Sequence, residues 1–159
     1  MALPDVLDFM QLLWAVVHGL ERSSKGMAAD LGVTGPQRLV LRVVGLFPGL
    51  SAGDLAGVLH VHPSTLTGVL QRLVSQRMLE RVADPADRRR AVLRLAARGR
   101  QVNATRRGTV EAAVAAALAD SPAAERLAAR RLLERLAERL GANAAALTTR
   151  VQARRAVRS

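Results

Sequence analysis

Residues 51–78 start two helices twelve positions apart and leave three residues to turn between them. Ser51-Ala-Gly-Asp54 is a capping box: a serine oxygen takes an orphan N–H while a carboxylate three residues on reaches back. The helix it starts runs through Leu59. Pro63 opens the next helix in the first turn, where a missing N–H costs nothing. Leu66, Val69, Leu70 and Leu73 give that second helix one apolar stripe. With only His60, Val61 and His62 between them, the two helices must cross and pack. Ala56 is small where they approach, Val61 is the apolar residue of the turn, and Leu66 plugs the second helix onto the first. This is the pattern of a helix-turn-helix. Such a turn often has glycine where this chain has His60.

The flanking sequence supplies further elements. Residues 5–29 read as a helix, with Val6, Met10, Leu13, Val17 and Leu20 at helical spacing, Leu7, Trp14 and His18 on an adjoining face, and Gly32 as its stop. Thr34 and Gln37 form a second capping box, Pro36 fits the first turn, and Pro48-Gly49 ends the helix. Its stripe is Leu39, Val40, Val43, Val44 and Phe47. The helix opened by Pro63 ends near Met78. Residues 78–83 and 91–96 read as two short strands around Asp84-Pro85-Ala86-Asp87, which is turn material. The loop of this hairpin carries Arg88, Arg89 and Arg90. One long helix is expected over 97–119. Ser121-Pro122 caps a last one through Leu140, with Leu132, Leu133, Leu136 and Leu140 as its stripe. Residues 141–159 hold four arginines and no acid, and read as a loosely ordered basic tail. The expected fold class is mainly α with a small β wing.

Charge says what such a framework meets. The net charge is +11, and Lys25 is the only lysine. A GC-rich coding bias accounts for arginine over lysine, but not for where the arginines sit. Residues 60–110 hold eleven of them against Glu80, Asp84 and Asp87. That field, centred on the helix-turn-helix and hairpin, points to a polyanion. The groove-side candidates on the second helix are Ser64, Thr65, Thr67, Gly68, Gln71 and Arg72, opposite its apolar stripe. A helix-turn-helix followed by a two-stranded ribbon is a winged helix: the helix enters the major groove, and the ribbon reaches sideways. Arginine suits a narrow minor groove, because a flat, weakly hydrated cation enters a strongly negative slot.

Over residues 31–100 the chain resembles the MarR family of bacterial winged-helix transcription regulators. The matching pieces are Pro48-Gly49-Leu50-Ser51, Asp54-Leu55-Ala56, Ser64-Thr65-Leu66-Thr67, and the wing sequence DPADRR at residues 84–89 followed by Leu93-Arg94-Leu95 and Gly99-Arg100. The DPxDRR wing is the most specific of these. The resemblance implies a homodimer built from the first and the two C-terminal helices, binding a near-palindromic operator on double-stranded DNA, usually as a repressor. It implies a small-molecule effector between the dimerisation helices and the DNA-binding lobe. On this basis residues 1–32 and 97–140 are dimerisation helices, 33–96 the DNA-binding lobe and 141–159 the tail. Ser64, Thr65 and Thr67 match recognition-helix contacts, Arg89 the arginine that enters the minor groove, and Asp87 the carboxylate that braces it. Gly68 stands where many relatives carry arginine, and Ala96 replaces the usual threonine before the next helix.

Other chemistries find less support. With no cysteine, disulfides and thiolate metal sites are excluded. His60 and His62 form an HxH pair, but turn packing and capping explain both better than a metal, and no cofactor is expected. No nucleophile–base pair, carboxylate pair or glycine-rich phosphate loop suggests an enzyme. Trp14 and His18, at i and i+4, with Arg38 and Arg42, form a candidate effector pocket beside the alternative of dimer or core packing and surface ion pairing. No run approaches a membrane span, so a cytoplasmic protein, nucleoid-associated when bound, is the expectation. The alternative to a regulator is an architectural DNA-binding protein of low sequence specificity. An RNA-binding winged helix lacks base-stacking aromatics in the basic third.

Overall fold

The computed structural model describes residues 4–141. The chain runs α1 (Asp5–Leu31), α2 (Gly35–Leu46), α3 (Ala52–Leu59), α4 (Pro63–Ser75), β1 (Leu79–Ala83), β2 (Ala91–Leu95), α5 (Ala97–Ala104), α6 (Val110–Ala119) and α7 (Ala123–Arg139). The expected residues start the helices. The Thr34 N–H donates to Gln37 Oε1 at 2.8 Å, and the Asp54 N–H to Ser51 Oγ at 3.2 Å. Gly32 closes α1 in the left-handed conformation.

One core lies under the helix-turn-helix and hairpin. Val40, Leu41 and Val44 of α2 pack with Leu55 and Ala56 of α3, Leu66, Leu70 and Leu73 of α4, and Met78, Leu79 and Leu93 around the hairpin. Leu39, placed in the α2 stripe from spacing, is instead exposed, while Leu41 is buried. The strands pair antiparallel, from Leu79 opposite Leu95 to Ala83 opposite Ala91. Leu50 adds a third rung. The Leu93 N–H donates to Leu50 O at 2.8 Å, and the Gly49 N–H to Leu93 O at 3.2 Å. The hairpin is thereby stitched to the segment that enters α3. Gly99 sits so close to the hairpin that a Cβ there would lie 1.9 Å from Met78 O. Only glycine allows α5 this approach.

Three expectations are corrected. The helix expected over 97–119 is two helices. Gly108 takes φ +70°, and Thr109 Oγ1 accepts from the Ala112 N–H at 3.3 Å, starting α6 afresh. The signal was Thr105-Arg-Arg-Gly-Thr109, a glycine stop followed at once by a cap. Second, α4 ends at Ser75 rather than near Met78. Arg77 adopts φ +55°, and the Met78 N–H returns to Leu73 O at 2.9 Å. This is a Schellman closure built on arginine instead of the usual glycine. Third, Ser121 does not cap α7. Its hydroxyl donates to Ala117 O at 2.9 Å and so closes α6, while Pro122 occupies the N-cap of α7. The expected basic tail, apart from Gly141, lies outside the described residues.

Candidate nucleic-acid interface

The helix-turn-helix turn is held by backbone strain that glycine would relieve. His60 sits at φ +51°, and the Val61 N–H reaches back to Ala56 O at 3.3 Å. A helix-turn-helix turn often has glycine at this position, and His60 takes the left-handed conformation that glycine favours. His62 caps α4: its Nδ1 accepts from the Ser64 N–H at 3.3 Å and lies 2.7 Å from Ser64 Oγ. The two histidines of the HxH pair thus have separate backbone roles.

Leu66, Leu70 and Leu73 bury one side of α4, leaving Ser64, Thr65, Thr67, Gly68, Gln71 and Arg72 exposed. Thr67 spends its hydroxyl hydrogen on Pro63 O at 2.9 Å. Toward a base edge it therefore offers a methyl group and an acceptor lone pair, but not a donor. No heavy atom lies within 4 Å of a Cβ built on Gly68, so the helix surface is open there. An open groove of about 330 Å³ runs beside it, between Thr34, Pro36 and Gln37 on one side and Thr65, Gly68 and Arg72 on the other.

The wing tip is tightly laced. The Asp84 N–H donates to Arg90 O at 2.8 Å, closing the loop. Asp84 Oδ1 accepts from the Ala86 N–H and Asp87 Oδ1 from the Arg89 N–H, each at 3.0 Å. Asp87 therefore shapes the backbone under Arg89. Arg88 and Arg89 are exposed, whereas Arg90 turns back to form an ion pair with Asp54 of α3. The three adjacent arginines are two outward cations and one inward tie. Sequence reasoning grouped all three, because nothing local separates them.

The four residues of the candidate effector pocket form two pairs, Trp14 with His18 on α1, and Arg38 with Arg42 at Glu111. Trp14 is 60% exposed on α1. His18 Nδ1 donates to Trp14 O at 2.7 Å. Arg38 is 1% exposed, and each nitrogen of its guanidinium donates a hydrogen bond. Nε donates to Glu111 Oε1 at 2.7 Å and Nη2 to Thr105 O at 2.5 Å; Nη1 also bonds Val102 O. Arg38 is thus a structural clamp, closing the C-terminal carbonyls of α5 and joining α2 to α6. Arg42 donates to Asn103 Oδ1 at 3.0 Å and lies 3.6 Å from Glu111. Burial, then the Arg106 and Arg38 cations, lower the Arg42 pKa, with Glu111 opposing. Burial would raise the Glu111 carboxyl, but bonds from Arg38 and Thr109 outweigh it and hold it below its ordinary value. Glu111 was missed from sequence; its place in the first turn of a separate α6 was the signal. Among the described residues, no helix is long and apolar enough to cross a membrane.

A family model described as MarR family matches residues 31–90. The HTH-type transcriptional repressor Mb2911 of Mycobacterium bovis is 32% identical over 113 residues, covering 71% of this chain and 81% of that protein. The uncharacterised HTH-type transcriptional regulator YsmB of Bacillus subtilis is 26% identical over 100 residues, 63% of this chain and 68% of that one. Among solved structures, the PcaV transcriptional regulator of Streptomyces coelicolor, in complex with its natural ligand, is 27% identical. It superposes with a TM-score of 0.66, covering 87% of this chain and 98% of that one. The S. aureus MepR–DNA complex shares the fold at a TM-score of 0.67 and 17% identity, over 83% of this chain and 97% of that one. With a winged helix carrying the matched residues, the chain belongs to the MarR family of transcription regulators.

Proposed function

We propose that the protein is a homodimeric repressor that occupies a near-palindromic operator, acting by binding rather than by catalysis, in the cytoplasm and on the nucleoid when bound. The observation that carries this is the pairing, on one lobe, of an exposed polar face on α4 with two outward arginines on a laced wing. In this reading Ser64, Thr65, Thr67, Gln71 and Arg72 meet base edges and phosphates in the major groove, and Arg89 enters the adjacent minor groove. Gly68 leaves a gap where a side chain would otherwise read a base. Residues 33–96 form the DNA-binding lobe, and α1, α6 and α7 the dimerisation surface. The named relatives support the reading: one is called a repressor, and one fold neighbour was solved on DNA. Release by a small anionic or aromatic ligand belongs to the same proposal, supported by the ligand complex of PcaV.

The test is selection of binding sites from random duplex DNA, then footprinting. A single protected palindrome with half-sites about one helical turn apart is expected. Diffuse protection without a preferred site would overturn the operator reading in favour of an architectural protein. Neutralising roughly eight phosphates gives a log–log salt slope near about −7. Arg89→Ala should weaken binding most on operators with A·T-rich flanks, whose narrow minor grooves favour arginine. Equal binding of Arg89→Ala and wild type on both kinds of flank would remove the wing from the interface.

A further inference from the structure

The wing is a two-stranded ribbon, and such ribbons are marginal by themselves. Its base is anchored by buried Leu79, Val92 and Leu93 and by the Leu50 rung. Its tip is different. Loop 84–90 is shaped mainly by bonds within itself, through Asp84 and Asp87. Those bonds fix the form of the tip but not its direction. The side-chain bond from the end of the loop to the helix-turn-helix is Arg90 Nη2 to Asp54 Oδ2. The same oxygen of Asp54 accepts from the Ser51 hydroxyl at 2.8 Å and from the Ser51 N–H at 3.2 Å. One carboxylate therefore joins the N-cap of α3, and through the helix pair α4, to the root of the wing tip. Both partners are partly buried, with side-chain exposures of 36% and 25%, so solvent screens the pair only in part.

We propose that Arg90 is a positioning residue rather than a DNA contact: its ion pair with Asp54 sets the angle between wing and recognition helix. That angle fixes where Arg88 and Arg89 land on the duplex once α4 is seated. The inference rests on the reading of the protein as a DNA-binding regulator. It divides the arginine run by role, two residues facing the nucleic acid and one holding them in place.

The sign of one substitution tests it. Asp54→Asn keeps an oxygen able to accept from Ser51, so the α3 cap survives, but removes the charge that holds Arg90. Electrostatics alone predicts tighter binding, because each subunit loses a negative charge near a polyanion. Positioning predicts weaker binding, roughly fivefold, with Arg90→Ala similar and Arg90→Lys intermediate. The loss should vanish to less than about twofold in an Arg89→Ala background, because a misdirected wing costs nothing once its reading residue is gone. A simple loss of fold would instead persist in that background, and melting of each variant checks this directly. If Asp54→Asn destabilises α3, the Arg90→Ala and Arg89→Ala cycle carries the test. Wild type that binds its selected duplex, with Asp54→Asn binding as well or better and Arg89 and Arg90 additive, overturns the positioning role alone. Wild type that selects no duplex overturns the DNA reading and this inference with it.

Discussion

The lobe and the terminal helices solve the same burial problem differently. Helices α2, α3 and α4 bury most of their apolar residues within the chain. Of α1 only Met27 is buried, and α6 and α7 bury no residue among those described. Val6, Met10, Val17 and Leu20 on α1, and Leu127, Leu132 and Leu133 on α7, stay largely exposed. The apolar residues of α1 recur at helical spacing, as those of the lobe do. Fully covering such a side chain contributes about 1.5–3 kcal/mol, so leaving a row of them in water is unfavourable unless another surface covers them. The difference teaches that periodicity fixes which face of a helix is apolar, and not whether the same chain covers it. The proposed homodimer follows from that face.

Substitutions separate the two regions. The largest effect belongs to the lobe. Gly99→Ala places a Cβ against the Met78 carbonyl, so α5 must lift from the hairpin. A loss of about 4 kcal/mol or more is expected, read as a collapsed melting transition at every protein concentration. A melting temperature near that of wild type would mean the α5–hairpin contact has slack.

Next is the clamp between the regions. Glu111→Gln leaves the buried Arg38 cation without its counter-charge, at a cost of about 3 kcal/mol. The effect depends on pH. Glu111 is held below its ordinary value of 4.5, so its contribution is present above that value and disappears as pH falls through the lowered one. The gap between variant and wild type, measured by denaturant titration, should narrow as pH drops below about 4.5. A gap constant across that range would place the stabilisation elsewhere.

The exposed stripe comes third. Leu133→Asp alters a residue 55% exposed in the single chain, so the lobe itself should be little affected. The dimer should weaken by about 2–3 kcal/mol, seen by sedimentation as a shift toward monomer. A wild-type protein sedimenting as a folded monomer at micromolar concentration, about the working range of such a dimer, would end the comparison.

What was legible in the sequence follows from which interactions are local. Both capping boxes, the three-residue turn and the two strands of the hairpin depend on neighbours within a few positions, and the structure has them where the spacing placed them. The misread points depend on distant partners or on unexpected residue types. Arg77 takes a left-handed angle that glycine usually marks in a sequence. Arg38 and Glu111 are 73 positions apart, so no window joins them, and spacing alone leaves Arg38 open to either a ligand or an ion pair. Arg90 resembled its neighbours until Asp54, far along the chain, set it apart. The outward faces of α4 and the wing remained legible because exposure opposite a leucine stripe is itself local.

The smallest effect should appear at Ala96, on the seam between wing and α5. It stands at the N-cap with φ −72° and ψ 172°, an extended geometry suited to capping, but has no side chain to cap with. Ala96→Ser adds one oxygen that can accept from an N–H in the first turn of α5, worth about 1 kcal/mol. Ala96 is 6% exposed, so the opposing effect is real. A hydroxyl buried there without a partner would cost about as much as the cap gains. Serine at this site has one acceptor demand nearby, the unsatisfied turn of α5, and its small volume limits overpacking. The net expectation is a higher denaturant midpoint with an unchanged slope and an unchanged dimer dissociation constant. A lower midpoint would show that the first-turn N–H groups already have partners. A changed dissociation constant would show that lobe and terminal helices are coupled through α5 rather than stabilised independently.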